Sequence, residues 1–438
     1  MARYFLSSPL LSVLKWLDAI DLDKEPQVLK HAKWLVLDTM GCVMAGIKAE
    51  PVANFIKNAS SADTGNFRFL PTQVHGLSAA NAAMALALAA CWDEACEGHA
   101  GAHGRPGVAA LAALIPLSSK LTYKEFLKSF VVGYEIGARM GASLRINKGM
   151  HVDGNWPALG AAAAVAHAMG LTSQQIEAAI ELAACQMPMS LYLPIRSGST
   201  TRNTYLGHAA QLGQTAAMSV ASGISAPPGA VQEYATVGLG KEALPFDTTP
   251  QFQILQAYFK PYAAVRHVHY GALAAHALHQ SVAVEKIQRI VLNVYEEATI
   301  YCGNRAPQTP LQAQFSLSFG VAAMLKWGRL DPWVYREPQF QDVELKKLEA
   351  MVEVEVNPVW TSQLIRAAQL SLHLNDGTKQ TKEILSVPGD LQMPFTKEAL
   401  LTKFGDYCQG SISQEQAQTW SNQLLDGPTS QTVFHFWN

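Results

Sequence analysis

The sequence has few charged residues and no long hydrophobic segment. Aspartate, glutamate, lysine and arginine make up 16% of 438 residues, well below the usual share of about a quarter. With a formal net charge of −2, nothing indicates binding to nucleic acid or to an anionic membrane. No apolar run reaches the length of a membrane span. The length and the 49% of hydrophobic residues predict two or three domains with a large buried fraction.

Several catalytic motifs are also missing. The sequence contains no phosphate-binding loop, no Gly-x-Gly-x-x-Gly after a strand and no Gly-x-Ser-x-Gly, which argues against a redox cofactor and a serine nucleophile. The six cysteines have no repeating spacing, so free thiols in a reducing cytoplasm are expected. Residues Met1–Leu6 run into Ser7, Ser8 and Pro9 without the hydrophobic region of a signal peptide.

Helical periodicity dominates the chain up to about residue 255. Alanine, leucine and methionine recur there at three- and four-residue spacing. Thr122 lies three residues before Glu125, and Thr172 lies three residues before Gln175. Both pairs predict capping boxes at helix starts.

The pattern changes near Lys260. Strands are predicted over Ile287–Glu297, Val352–Val356 and Leu370–Leu374, followed by a turn at Asn375–Gly377 and a return strand through Ile384 and Val387. The sequence turns helical again from Thr396. The prediction is a mostly α protein, with a large all-helical domain built from both chain ends (1–258 and 393–438) and an inserted smaller α+β lid domain (259–392).

One turn concentrates polar residues. Three carboxylates, two histidines and an arginine fall within Asp93–Gly107, between apolar stretches. Such a turn either directs titratable groups into a cavity or forms a hydrophilic surface loop. A zinc site on Glu97, His99 and His103 is the third possibility, but the glycines oppose a regular helix and no cysteine pair completes the ligand set. We therefore expect no metal.

Three further segments carry candidate residues. His151 precedes an Ala-rich helix, where an imidazole tends to be neutral and can serve as base or donor; a loop histidine bonded to backbone is the alternative. Arg202 precedes another helix of small residues, a position suited to anions or to a surface arginine. Lys260, Arg266 and His269 lie at the domain boundary. They indicate either a cleft for a carboxylate-bearing substrate or a solvated linker.

Taken in order, eight segments resemble the MmgE/PrpD family, which includes 2-methylcitrate dehydratase, cis-aconitate decarboxylase and iminodisuccinate epimerase. The resemblance covers nearly the whole chain. The matching segments are Asp38–Gly46, Asn81–Gly107, Val132–Ile136, His151–Gly160, Gly170–Thr172, Arg202–Gly213, Lys260–His269 and Ala313–Ser316.

The resemblance implies a helical domain with an inserted lid, a cytoplasmic homodimer, a small-molecule carboxylate substrate, and neither cofactor nor metal. It implies chemistry at a carbon next to a carboxylate, through a carbanion-like state.

The implied catalytic residues are Asp93, His103 and His151, with either histidine moving the proton and Asp93 orienting one of them. The implied substrate-binding residues are Arg202, Lys260, Arg266 and His269. If the turn is aligned on Pro106–Gly107 instead, Arg105 takes the place of His103.

The sequence also departs from the family pattern. Ala95, Cys96 and Glu97 replace the aspartates and threonine usual after Asp93. The other departures are Arg202 in place of lysine, Tyr205 in place of histidine, Val265 in place of a second lid histidine and Phe319 in place of tyrosine. The expected function is a dehydratase-like lyase. The alternatives are an epimerase of a dicarboxylate such as iminodisuccinate and a family member that only binds or supports a partner.

Overall fold

The computed structural model describes residues 8–69 and 74–432. The N-terminal segment in which no signal peptide is expected lies outside this range. Among the described residues, no helix combines the length and the apolarity needed to cross a membrane.

Helices form nearly all of the first half of the chain. The helices are α1 (Pro9–Ala19), α2 (Pro26–Gly46), α3 (Glu50–Ala62), α4 (Ala79–Cys91), α5 (Pro106–Leu114), α6 (Tyr123–Ser143), α7 (Pro157–Ala168), α8 (Ser173–Ala184), α9 (Leu193–Ser197), α10 (Tyr205–Ala221) and α11 (Ala230–Glu233). Two small antiparallel pairs, which the sequence analysis did not predict, are β1 (Phe67–Phe69) with β2 (Val74–Leu77) and β3 (Gly98–His99) with β4 (Ala257–Tyr258).

Small residues let α7 lie at the centre of the helical domain, against α5, α6 and α10. A Cβ atom on Gly133 of α6 would lie 2.6 Å from Cβ of Ala164, and one on Gly160 would lie 2.7 Å from the carbonyl oxygen of Gly133. Larger side chains would push these helices apart. Both predicted capping boxes, Thr122 with Glu125 and Thr172 with Gln175, are confirmed.

The lid domain combines a four-stranded sheet with short helices. Its elements are α12 (Arg266–His279), β5 (Ile287–Val294), α13 (Glu296–Cys302), α14 (Pro310–Gln314), α15 (Leu317–Trp327), α16 (Val343–Ala350), β6 (Val352–Val356), α17 (Pro358–Ser362), β7 (Ala368–Leu374) and β8 (Lys379–Ile384). The sheet order is β6-β5-β7-β8. β5 pairs with β6 in parallel, and the other pairs are antiparallel. Helices α12 and α15 pack against this sheet.

The sequence predicts four strands for the lid and the structure has four there, but two of their boundaries differ. β5 ends at Val294 and not at Glu297, because Glu296 and Glu297 begin α13. Acidic side chains in the first turn of a helix are stabilised by the positive end of the helix dipole. β8 ends at Ile384, so Val387 lies outside the return strand. The fold class is confirmed: the protein is mostly α with a small sheet-containing domain.

The C-terminal helices α18 (Lys397–Cys408) and α19 (Gln414–Asp426) lie against α2. Lys403 of α18 donates to Oδ1 of Asp38 on α2 at 2.6 Å and to the carbonyl of Ala95 at 2.7 Å. Both ends of the chain thus meet beside the polar turn. The domain boundaries at 258/259 and 392/393 remain predictions.

This buried ion pair yields a test of the packing between the chain ends. Lys403→Met leaves Asp38 buried without its partner, since the side chains of Lys403 and Asp38 are only 6% and 0% exposed. We expect the free energy of unfolding in urea to fall by about 3–5 kcal/mol. The matched control is Lys397→Met, which breaks the exposed pair with Asp426 and should cost less than about 1 kcal/mol. Equal losses in the two variants would contradict the C-terminal packing.

Candidate active site

The polar turn between α4 and α5 is held inside the protein. Its short strand β3 pairs with β4, so that Gly98 lies opposite Tyr258 at the entrance to the lid. Of its charged residues, Asp93, Glu94 and Arg105 are 2–4% exposed. The surface-loop interpretation therefore fails for these side chains, and His103 is the exposed member.

Glu94 lies among three cations. Its Oε1 accepts a hydrogen bond from Lys260 Nζ at 2.7 Å, and its Oε2 accepts from Arg105 Nη1 at 3.2 Å and from Arg202 Nη2. Lys260 also donates to the Glu94 carbonyl at 3.1 Å. Burial alone would raise the pKa of Glu94, but the charges of Arg105, Arg202 and Lys260 hold it well below its usual value. The Glu94 carboxylate is therefore ionised at neutral pH.

Asp153 is a second carboxylate on the same cations. It forms an ion pair with Arg105, and its Oδ2 lies 3.3 Å from Arg202 Nη2. Burial, the largest effect, opposes its ionisation, but the charges of Arg105 and Arg202 help to lower its pKa below the usual value. We call Glu94, Arg105, Asp153, Arg202 and Lys260 the charge cluster. Arg105 also donates to Cys96 Sγ at 3.3 Å, and a hydrogen bond from Cys91 lowers the pKa of this thiol to about 6, so two carboxylates and a thiolate face the three cations.

Different segments bring these side chains together. Asp153 lies on a 3₁₀ turn, Val152–Gly154, just before α7, and Arg202 lies on another, Thr200–Thr204, just before α10. Arg202 also donates to the carbonyl of Cys91 at 3.3 Å, at the end of α4, where a cation is favoured by the helix dipole. Lys260 joins from the segment that leads into the lid.

The ring of His151 borders the charge cluster. The backbone N–H of Asp153 donates to its Nδ1 at 3.1 Å, so the proton of the neutral ring is assigned to Nε2. Burial lowers the pKa of His151 to about 4, which keeps it neutral at pH 7. Its backbone N–H donates to Ser190 O at 2.8 Å, and the Ser190 hydroxyl donates to its carbonyl at 2.7 Å. The ring is thus fixed in place.

Aromatic rings connect this side of the site to the lid. His151 stacks on Tyr192 at 6.0 Å between ring centroids, and Tyr192 meets Tyr301 edge-on at 6.0 Å. Tyr301 in turn stacks on His267 at 5.6 Å. The Nδ1 atom of His267 lies 2.5 Å from the hydroxyl of Tyr295. The row of rings therefore spans the boundary between the two domains.

Two further imidazoles, that of His267 in the lid and that of His103 on the polar turn, have lowered pKa values. Burial, followed by the charges of Arg366 and Lys260, lowers the pKa of His267 to about 3. Partial burial, Arg145 and Arg366 lower the pKa of His103. The charge of His103 also contributes to lowering the pKa of His267.

The structure places three predicted site residues on protein partners. Asp93 forms an ion pair with Arg336, with Oδ1 2.8 Å from Nη1. The carboxylate beside His151 is that of Asp153, whose Oδ2 lies 3.8 Å from His151 Nδ1, and the predicted orientation of a catalytic histidine by Asp93 stays a prediction.

Arg266 and His269 are also held by the protein. Arg266 forms an ion pair with Asp390 and lies over the ring of Tyr258, with Cζ 4.9 Å from the centroid. His269 is 0% exposed, and its Nε2 lies 2.9 Å from the carbonyl oxygen of Ala264. These contacts give both residues structural partners that the sequence did not reveal.

The three candidate metal ligands do not converge. Glu97 accepts a hydrogen bond from the N–H of Gly107 at 2.8 Å, and burial raises its pKa to about 8. His99 accepts from the N–H of Ala102 at 3.0 Å, and His103 is an exposed residue. Over the described ranges, no three histidine, cysteine, aspartate or glutamate side chains are arranged to hold a metal ion.

Sequence reasoning missed Glu94, Asp153, His267 and Arg366 as site residues. A signal was available for the first two, since Glu94 follows Asp93 directly and Asp153 lies two residues after His151. No sequence signal indicated Arg366, because only the tertiary structure of the lid places it near the site.

Comparisons with known proteins agree with the predicted resemblance. Residues 13–241 match the MmgE/PrpD N-terminal domain, and residues 262–426 match the MmgE/PrpD C-terminal domain. The chain is 25% identical over 408 residues to cis-aconitate decarboxylase of Homo sapiens, an alignment that covers 86% of this chain and 83% of the relative. It is 24% identical over 413 residues to the enzyme of the same name from Mus musculus, covering 86% and 82%. The chain therefore belongs to the MmgE/PrpD family.

Proposed function

We propose that this protein is a cofactor-independent lyase that removes a proton from the carbon next to a carboxylate of a small organic acid and then expels water. The observation that carries the proposal is the set of three buried cations in the charge cluster, beside the neutral ring of His151. The two curated relatives reported above are named as decarboxylases of a carboxylic acid, which supports the same class of chemistry.

The cations bind the substrate in this proposal. Arg202 and Lys260 hold the carboxylate of the acid through hydrogen bonds to positively charged groups, which are stronger than those between neutral groups. When the neighbouring carbon loses its proton, negative charge spreads onto this carboxylate. Fixed cations and the Nε2–H of His151 stabilise that charge in a site from which water is largely excluded.

His103 acts as the base. Its lowered pKa leaves the imidazole neutral at pH 7, with a lone pair available to accept a proton. Glu94 is unsuited to this role because its pKa is held well below neutral pH. The reaction should therefore slow as the pH falls through the pKa of His103, below the usual value of 6.5, since protonation removes the lone pair.

The second candidate is an epimerase. Inversion at a carbon requires acid and base groups on opposite faces of the substrate. His103 lies on the turn and His267 lies on the lid, and both rings have lowered pKa values. Two neutral imidazoles on separate segments favour epimerisation over the proposal that the chain has lost its chemistry and only binds a partner.

Incubation of the protein with a panel of small carboxylic acids in deuterated water separates these functions. We expect loss of water from one acid, accompanied by exchange of deuterium at the carbon next to its carboxylate, followed by NMR. Deuterium incorporation with inversion and without net turnover would establish the epimerase instead. If no acid exchanges or reacts, the enzymatic proposal is wrong and a binding role is favoured.

Substitution of the two histidines distinguishes a donor from a base. His103→Gln should lower kcat by about a hundredfold or more, because an amide cannot accept the proton. His151→Ala should lower kcat by about 10²–10³-fold, as for loss of one oxyanion donor, whereas His151→Gln should recover part of it. His276→Ala, which removes an exposed histidine bonded to Gly328, is the control and should keep full activity. Full activity of His103→Gln would place the base elsewhere.

A further inference from the structure

We infer that the side-chain amide of Gln314, in the lid, accepts a hydrogen bond from a hydroxyl group of the substrate, which is therefore a hydroxy acid. The inference rests on the proposed function, in which the charge cluster binds the substrate carboxylate and a hydroxyl group leaves as water. It adds the residue that recognises this hydroxyl, and it applies to acids with one carboxylate or several.

Gln314 ends α14 of the lid and reaches the helical domain. The residue is 2% exposed. Its Nε2 donates to the carbonyl oxygen of Trp92 at 3.1 Å, and its own carbonyl accepts from the N–H of Val265 at 3.0 Å. Because the end of the amide that faces a carbonyl oxygen must be the nitrogen, the contact with Trp92 fixes which way the amide lies. Oε1 therefore points away from the Trp92 carbonyl.

Arg202 of the charge cluster reaches the same end of α4. Its Nη1 donates to the carbonyl oxygen of Cys91 at 3.3 Å, and Cys91 directly precedes Trp92. Carbonyls at the C-terminal end of a helix have no partners within the helix, and Gln314 and Arg202 bind two consecutive ones. The ring of Phe315, the residue after Gln314, has its centroid 5.7 Å from Arg202 Cζ. The end of α14 therefore borders the charge cluster.

One acceptor and one donor lack partners at this border. Among the residues that the structure describes, Gln314 Oε1 and Arg202 Nε are both buried and make no hydrogen bond. A buried polar atom without a partner costs free energy, and such atoms in a site are satisfied by a ligand that brings the complementary groups. A hydroxy acid brings both, since its carboxylate accepts from Arg202 and its hydroxyl donates to Gln314.

A neutral hydroxyl fits Gln314 Oε1 better than other groups do. An ammonium group in this position would lie near the guanidinium of Arg202, and like charges without solvent screening repel each other strongly. A carbonyl or methylene group has no such proton to donate and would leave Oε1 unpaired. The proposed reaction removes a proton from the carbon next to the carboxylate and expels the hydroxyl from the following carbon. We therefore expect a 3-hydroxy acid.

The test compares acids that differ in this one group. Butanoate is compared with 3-hydroxybutanoate and succinate with malate, while aspartate carries an ammonium group in place of the malate hydroxyl. Both enantiomers of each chiral acid are titrated into the full-length protein at constant ionic strength. Calorimetry measures binding, and NMR of the same samples records any turnover. We expect the tighter enantiomer of each hydroxy acid to bind about tenfold more tightly than its parent acid, and aspartate to bind more weakly than malate.

Gln314→Met should abolish this preference. The thioether nearly keeps the size of the side chain but is only a weak acceptor, so a hydroxy acid and its parent should bind within about twofold of each other. If Gln314 served packing alone, both acids would weaken equally and their ratio would not change. The matched control is Gln312→Met on the same helix, because Gln312 Oε1 already accepts from the N–H of Gln308 at 2.9 Å. This variant should keep the wild-type ratio.

The outcomes separate this inference from the proposed function. Equal binding of a hydroxy acid and its parent, tighter binding of aspartate than of malate, or an unchanged ratio in folded Gln314→Met overturns the role of Gln314 but leaves carboxylate binding intact. Wild-type protein that binds none of the acids contradicts the proposed function itself. If Gln314→Met does not fold, a crystal structure of the wild-type protein with the tighter hydroxy acid decides. A ligand hydroxyl about 3 Å from Oε1 supports the inference, and a hydroxyl bound elsewhere overturns it.

Discussion

The contact on which the rest of the site depends is the ionised carboxylate of Glu94 among Arg105, Arg202 and Lys260. Three cations that are each 2–4% exposed would carry a large desolvation cost without nearby negative charge. Glu94 and Asp153 offset that cost, and they require the turn, the segments before α7 and α10 and the segment entering the lid to meet at one point. The two domains are therefore joined through the charges that are proposed to bind substrate.

Much of the fold follows from local sequence signals. The capping boxes at Thr122 and Thr172 are predictable because both partners of each box lie within four residues of sequence. The alternation of valine and glutamate over Val352–Val356 predicts β6 with the same bounds as in the structure. The pairs β1–β2 and β3–β4 were missed, because strands of two to four residues show too few alternations to register as a pattern and depend on tertiary contacts.

The site was predictable in its location but not in its pairing. Because the rest of the chain has few charged residues, the polar turn Asp93–Gly107 and the segments around His151, Arg202 and Lys260 stand out in the sequence. In the structure, charged side chains from these four segments lie together. Which carboxylate meets which cation depends on backbone direction, and Glu94 has a positive φ of 54° that no sequence pattern specifies for a glutamate. Sequence reasoning therefore chose Asp93, whose carboxylate faces Arg336, over its neighbour Glu94.

The central claim is that the charge cluster binds a substrate carboxylate while Glu94 stays in place. A crystal structure of the protein with a bound small carboxylic acid tests it most directly. The account predicts ligand oxygens about 3 Å from Arg202 Nε and Lys260 Nζ, with the Glu94 carboxylate still bound to Arg105 and Arg202. A ligand bound away from these cations, or one that has displaced Glu94 and taken its position, would contradict it.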